Sequence, residues 1–306
     1  MNYTKTQHSG SYPSISPTLP ALSAAGKTVL IAGASSGIGQ ATARAFLEAG
    51  CARLALVSRR LHLLSTLVSE LRGQFLGSQI LTFAADIQDS KALEAAFTGA
   101  KEKFKLGGRE EGEEVSIDVV INCAGYAPTL APLAGKGEAD LADWWRGFEV
   151  NVLGAATLAR VVVAASSHAS VSPEAVVLQL GTAGALLPAQ LPMSGYAVSK
   201  LALVKLMEYF GAENPGLRVV TVHPGIVPGT EGGQKMVKES GIEWPGDDIE
   251  LPAHFLVWAA SDEAKFLKSK FVFANWDVNE MKAREQEIAG SLELTIGLNG
   301  FPKNFE

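Results

Sequence analysis

Short, almost wholly apolar runs alternate with longer helix-spaced stretches along this chain, and that alternation restricts its fold more than any other feature. The runs cover residues 28–31, 53–57, 80–83, 117–121, 175–180 and 217–222. A strand that is apolar along its whole length must be covered on both faces. Helical spacing fills the intervals at 38–48, 61–71, 91–104, 141–165 and 196–212. Right-handed crossovers between such units give a doubly wound parallel α/β sheet with helices on both faces. Residues 252–260 predict one more helix, and 271–274 a seventh strand.

Three segments break the rhythm. Residues 1–25, rich in Ser, Pro and Thr, read as an irregular arm on the surface. Residues 105–114 read as a solvated Gly/Glu-rich insertion. Residues 225–250 form a long Gly/Pro-containing connection after the sixth strand, where ordered loops commonly close over ligands. We take it as a substrate-side loop and residues 26–306 as a single domain. A net charge of −6 with no basic stripe argues against a nucleic-acid partner. Cys51 and Cys123 lie in apolar stretches and read as buried thiols, which suits a reducing compartment. The first 25 residues lack the pattern of a secretory signal, and no run reads as a transmembrane span. A cytoplasmic protein without a membrane partner is expected. No His/Cys cluster has metal-ligand spacing, so no metal is expected.

The first strand leads directly into Gly33-Ala34-Ser35-Ser36-Gly37-Ile38-Gly39. A strand that turns at once into a helix aims that helix's N-terminal N–H groups at an anion, and side chains would block the approach. Gly33 suits the turn, Gly37 close approach by a pyrophosphate, and Gly39 contact between helix and sheet. Ser35, Ser36 and Ile38 would share the contact. The second strand ends in Ser58-Arg59-Arg60, where an adenosine ribose would lie. Arginine there can pair with the extra phosphate of NADP, whereas NAD calls for an acidic residue, so NADP(H) is favoured over NAD(H). Asp86 and Ile87, after the third strand, would lie at the adenine edge. Asp86 reads equally well as a helix cap.

Tyr196 and Lys200 stand four apart in a helical stretch and so share a face. A nearby cation favours phenolate and makes proton exchange with a substrate oxygen feasible. Taken with the glycine loop, Asn122-Cys123-Ala124-Gly125, Asn151 and Pro224-Gly225, the pair resembles the short-chain dehydrogenase/reductase family in its compact single-domain branch. The match runs from about Gly26 to Gly225. The resemblance implies a Rossmann-type sheet of strand order 3-2-1-4-5-6-7, with the cofactor at the switch point between strands 1 and 4. It implies Tyr196 as acid/base and Lys200 as the group that binds the nicotinamide ribose and lowers the Tyr196 pKa. Asn151 would sit in a distorted helix serving a proton relay. Asn122, Ala124 and Gly125 would support the adenosine side, and Pro224, Gly225, Val227 and Thr230 the nicotinamide side. The family places a Ser where this chain has Thr182, fourteen residues before Tyr196. Thr offers the same donor and acceptor, with a crowding methyl.

The expected activity is hydride transfer between nicotinamide and a carbonyl or secondary alcohol on a small, apolar substrate. The alternative is a catalytically weak NAD(P)-binding sensor or scaffold of the same fold. A sugar-nucleotide epimerase would show a different glycine spacing and more chain after Lys200. Trp244, Pro245, Met236, Leu186, Leu187 and Met193 are candidates for an apolar pocket. The resemblance further implies a homodimer or homotetramer formed through helices 141–165 and 196–212.

Overall fold

The computed structural model describes residues 3–106, 115–189 and 191–298. Among them, seven parallel strands stand in the order β3-β2-β1-β4-β5-β6-β7. They are β1 (Thr28–Ala32), β2 (Arg53–Ser58), β3 (Gln79–Ala84), β4 (Ile117–Asn122), β5 (Val171–Leu180), β6 (Arg218–His223) and β7 (Lys270–Phe273). Between them run α1 (Gly37–Glu48), α2 (Leu61–Gln74), α3 (Ser90–Leu106), α4 (Leu141–Phe148), α5 (Gly154–Ser167) and α6 (Ser194–Glu213). Beyond β6 come α7 (Glu231–Ser240), α8 (Glu250–Ala260) and, after β7, α9 (Val278–Lys282) and α10 (Glu285–Ala289). Apart from its first two residues, the Gly/Glu-rich insertion lies outside the described residues.

The period of two within each strand divides the core into two layers. Val29 and Ile31 of β1 face one layer with Phe46 of α1 and Phe255 and Trp258 of α8. Leu30 and Ala32 face the other with Phe97 of α3, Val162 of α5 and Leu203 of α6. Both sides of β1 are thus sealed, which is why its sequence is continuously apolar. Strand order reverses between β1, which pairs with β2, and β4 on its other side. The crevice outside their carboxyl ends is where open α/β sheets hold ligands.

Four segments differ from the sequence reading. β5 begins at Val171 rather than 175, and its pairing with β4 shifts register between Ile117 and Val119, an irregularity that accommodates Pro173. The helix expected over 141–165 is interrupted by a π turn at Glu149–Leu153. By length and composition alone Leu141–Ser167 could cross a membrane, but half of its most apolar stretch is buried inside the fold. The long connection after β6 contains α7, capped by the Thr230 hydroxyl on Gly233 N and ended by left-handed Gly241. The N-terminal segment is irregular but inserts Ile15 and Leu22 into the core, both almost inaccessible to solvent. It is tied to the far end of the chain through His8 N–H to Asn275 O and the His8 ring against Asp277. Cys51 and Cys123 are free thiols.

Candidate active site

Three elements build the floor of a cleft of about 510 Å³ at the β1/β4 crevice: the glycine loop, the end of β2 and the end of β4. Gly33 has φ +79°, and a Cβ there would stand 2.5 Å from Ala124 N, so no other residue fits. A Cβ on Gly39 would meet the Gly33 carbonyl, which fixes how tightly the loop folds under α1. Gly33, Ser35, Ser36, Gly37, Ile38 and Gly39 all line the cleft. Ser36 is the N-cap of α1, yet its side chain makes no capping bond, so the hydroxyl is not committed to the helix.

The arginines at the end of β2 are engaged differently. Arg59 lies 3.5 Å from Asp86. Arg60 crosses the glycine loop, donating from Nε to Ser35 Oγ at 3.3 Å and from a terminal nitrogen to Ser36 Oγ at 2.7 Å. Its other terminal nitrogen donates to Glu231 Oε1 at 2.7 Å. Ser58 Oγ donates to Ser35 Oγ at 2.8 Å and holds that serine in place. Asp86 Oδ1 accepts from Gln88 N at 3.0 Å, whereas Asp89 supplies the cap at Ala92 N. Asp86 therefore shapes the turn after β3 and leaves the capping of α3 to Asp89. Ile87 lies beside it in the cleft wall.

At the end of β4, Asn122 Nδ2 donates to Gln179 Oε1 at 2.8 Å while its Oδ1 accepts from Ala124 N at 3.1 Å. This buried pair ties β4 to β5 just below the cleft. Ala124 and Gly125 line the cleft, and Asn122 supports them from beneath. A Cβ on Gly125 would come to 3.4 Å from both Asn151 Oδ1 and Lys200 Nζ.

Tyr196 and Lys200 project from the first turns of α6 into the same cleft. Loss of hydration raises the Tyr196 phenol above its usual pKa, and the Thr182 hydroxyl opposes that rise. Thr182 Oγ1 also accepts from Gly184 N at 3.2 Å, which orients it as the cap of the turn Ala183–Ala185. Lys200 is buried, and burial lowers its ammonium to about 8. Its Nζ donates to Leu180 O at 3.0 Å. The sequence reading made Lys200 the group that lowers the phenol's pKa. Here the downward pull comes from Thr182, and the ammonium is turned to the end of β5.

Asn151 occupies the π turn. Its Oδ1 accepts from Tyr126 N and its Nδ2 donates to Tyr126 O, both at 2.9 Å, and Nδ2 also reaches Ser199 Oγ at 3.0 Å. Ser199 Oγ donates to Tyr196 O at 2.9 Å, so the clasp reaches the first turn of α6. Extra backbone in a π turn commonly marks a functional position. Pro224 and Thr230 line the cleft, whereas Gly225 and Val227 do not. Gly225, at φ +88°, lies against the Asp247 carboxylate, which accepts from Ile226 N at 2.6 Å. None of the six candidates for an apolar pocket lines this cleft, and Leu186 and Leu187 are exposed.

The sequence reading missed Gln179, Ser199, Tyr126 and Glu231. Tyr126 follows Gly125 and bonds the Asp143 carboxylate, the chief reason its phenol is raised. Ser199 was within reach of sequence reasoning, lying between Tyr196 and Lys200. Nothing local marks Glu231, because its partner Arg60 is 171 positions away.

Comparison with known proteins shows the family and the fold. The short chain dehydrogenase family matches residues 27–241. A short chain dehydrogenase/reductase of Claviceps purpurea (strain 20.1) is 33% identical over 300 residues, covering 96% of this chain and 94% of its own. A 7 alpha-hydroxysteroid dehydrogenase complexed with NADH and 7-oxo glycochenodeoxycholic acid superposes with a TM-score of 0.66 at 23% identity, over 87% of this chain and 97% of that one. A short chain dehydrogenase from Shigella flexneri 2a str. 301 complexed with NADP gives 0.68 at 18% identity, over 82% and 97%.

Proposed function

This chain belongs to the short-chain dehydrogenase/reductase family of oxidoreductases, and from that premise we propose that it is NADP(H)-dependent and acts on a carbonyl or secondary alcohol of a small, apolar substrate. The observation that carries the reading is the Tyr196 phenol beside buried Lys200, its ionised form favoured by the Thr182 hydroxyl, in a cleft whose other end holds Arg59 and Arg60.

The residues present fit a dinucleotide. A cradle that a Cβ on Gly33 would fill, the Ser36 hydroxyl that is free of any capping bond, and the N-terminus of α1 suit a pyrophosphate. When bound, the nicotinamide supplies the carbon that gives or takes hydride. The chain's own groups do the rest. Thr182 orients the reacting oxygen by a hydrogen bond. Tyr196 gives its phenolic proton to that oxygen in reduction and removes it in oxidation. Lys200 would hold the ribose side of the nucleotide, and Asn151 fixes the backbone at Tyr126. With NADP(H), carbonyl reduction is the proposed working direction. The Thr182–Tyr196 contact favours this reading over a sensor or scaffold, which would need neither hydroxyl.

Tryptophan-fluorescence titration with NADPH and NADH in parallel tests the reading, followed by a carbonyl screen. NADPH binds more tightly, Arg60→Gln removes most of that preference, and Tyr196→Phe lowers turnover by roughly 10²–10⁴-fold while binding persists. Tighter binding of NADH would overturn the cofactor assignment. Binding of neither would remove the basis of the whole reading.

We also infer a cytoplasmic homodimer or homotetramer built through α5 and α6. Apolar residues exposed on both helices, Val163, Val198 and Tyr209, with Leu153 in the π turn just before α5, support that assembly.

A further inference from the structure

One charge pair in the cleft has no part in the reaction described above. Arg60 stands where the extra phosphate of an NADP-type nucleotide would be read, and its guanidinium already holds an anion. Glu231 Oε1 accepts from it at 2.7 Å, and the same guanidinium bonds Ser35 and Ser36 in the glycine loop. Glu231 is the first residue of α7, on the opposite wall, and both Arg60 and Glu231 line the cleft. The other end of α7 is also fastened, with Glu239 Oε2 accepting from Leu130 N at 2.9 Å and Glu239 Oε1 paired with Lys235 at 3.0 Å. The helix thus lies as a strap from the end of β2 to the loop after β4.

Carboxylate and phosphate oxygens approach a guanidinium in the same fork geometry, so they compete for it. Arg59 is paired separately, with Asp86 3.5 Å from it. We propose that Glu231 is a cofactor-specificity residue, an internal anion that competes with the nucleotide's 2′-phosphate for Arg60 and so narrows discrimination between nucleotides with and without that phosphate. The proposal rests on the NADP(H) reading. Both side chains are well exposed, 39% for Arg60 and 68% for Glu231, so water screens the pair and the competition amounts to a few-fold effect. Displaced from Arg60, Glu231 still sits at the N-terminus of α7, where a helix tolerates negative charge.

The test is calorimetric titration of the full chain with 2′,5′-ADP and with 5′-ADP at low salt, for the wild type, Glu231→Gln, Arg60→Gln and the double variant. Glu231→Gln tightens 2′,5′-ADP by about two- to fivefold and leaves 5′-ADP unchanged. In the Arg60→Gln background the same substitution has no effect. Unchanged or weaker binding of 2′,5′-ADP by Glu231→Gln, while Arg60→Gln still weakens it, overturns the proposal and spares the NADP(H) reading. Weaker binding of 5′-ADP by Glu231→Gln also overturns it, by showing that the carboxylate serves the nucleoside itself. If Arg60→Gln leaves 2′,5′-ADP unaffected, the NADP(H) reading fails and the proposal falls with it.

Discussion

Burial acts on the two central ionisable groups in opposite directions, raising the Tyr196 phenol and lowering the Lys200 ammonium to about 8. Each shift favours the neutral form, as desolvation must. Among the described residues, the group that favours phenolate is Thr182. The hydroxyl of Thr182 then has two duties, to hold substrate oxygen and to ease ionisation of the base. Thr182→Val keeps the shape of the side chain and removes both. In the direction of alcohol oxidation the unprotonated phenol is the active form, so activity rises with pH through the apparent pKa of the pair. Losing a bond that stabilises phenolate raises that pKa. We expect the rising limb of the kcat/KM profile to move to higher pH in Thr182→Val, with kcat/KM down roughly 10²–10³-fold on the plateau. Thr182→Ser restores both. A variant that loses rate with no movement of the limb would leave Thr182 a substrate contact only.

At the scale of elements, the π turn at Glu149–Leu153 does the most for the site at the smallest cost in chain. It swings the Asn151 side chain inward, where it clasps both the N–H and the C=O of Tyr126 and reaches Ser199 on α6. Three elements are locked by one side chain that is itself 2% exposed. Asn151→Ala leaves two backbone groups of Tyr126 without a partner, and each such group costs about 1–3 kcal/mol when water cannot replace it. Urea denaturation should show a loss of that order, with Ser199→Ala losing less. An unchanged midpoint would mean that Asn151 is not the clasp. The glycine loop and the Tyr196/Lys200 pair were legible in the sequence because one residue type answers each physical demand there. Gly33 needs positive φ and close approach, and residues four apart on a helix share a face. The π turn was not legible, since 141–165 has helical spacing throughout and the extra backbone is fixed by contacts with Tyr126 and α6. Helix α7 was hidden for another reason. It buries no residue and carries Gly232 and Gly233, so only its caps, Thr230 and Gly241, announced it. The apolar run at 175–180 stops short of the start of β5 because Pro173 and Glu174 break it.

On the scale of the whole molecule, α5 and α6 each have two faces with different obligations. Their inner faces cover the sheet through Leu158, Val161, Val162, Leu203 and Met207. The outer face of α5 carries Ala156, Thr157, Arg160, Val163 and Ala164 at helical spacing, continuing from Leu153 in the π turn, so one charge stands among small and apolar residues. The outer face of α6 repeats the pattern with Val198, Ala202, Lys205 and Tyr209. α4 extends the surface with exposed Leu141 and with Trp145, whose ring stacks on Phe148. Sheet coverage does not require apolar side chains on these faces, and a contiguous exposed apolar surface marks an interaction site. A second copy related by a twofold axis would set like faces together, so one substitution enters each interface twice. Val163→Glu places a carboxylate on the outer face without touching the cleft. Sedimentation equilibrium should show a dimer or tetramer for the wild type and a smaller assembly for Val163→Glu, with nucleotide binding retained. A wild-type monomer at micromolar concentration would refute the assembly, and an unchanged variant assembly would move the contact away from this face of α5. If assembly is lost but nucleotide affinity holds, the cleft is complete within one chain.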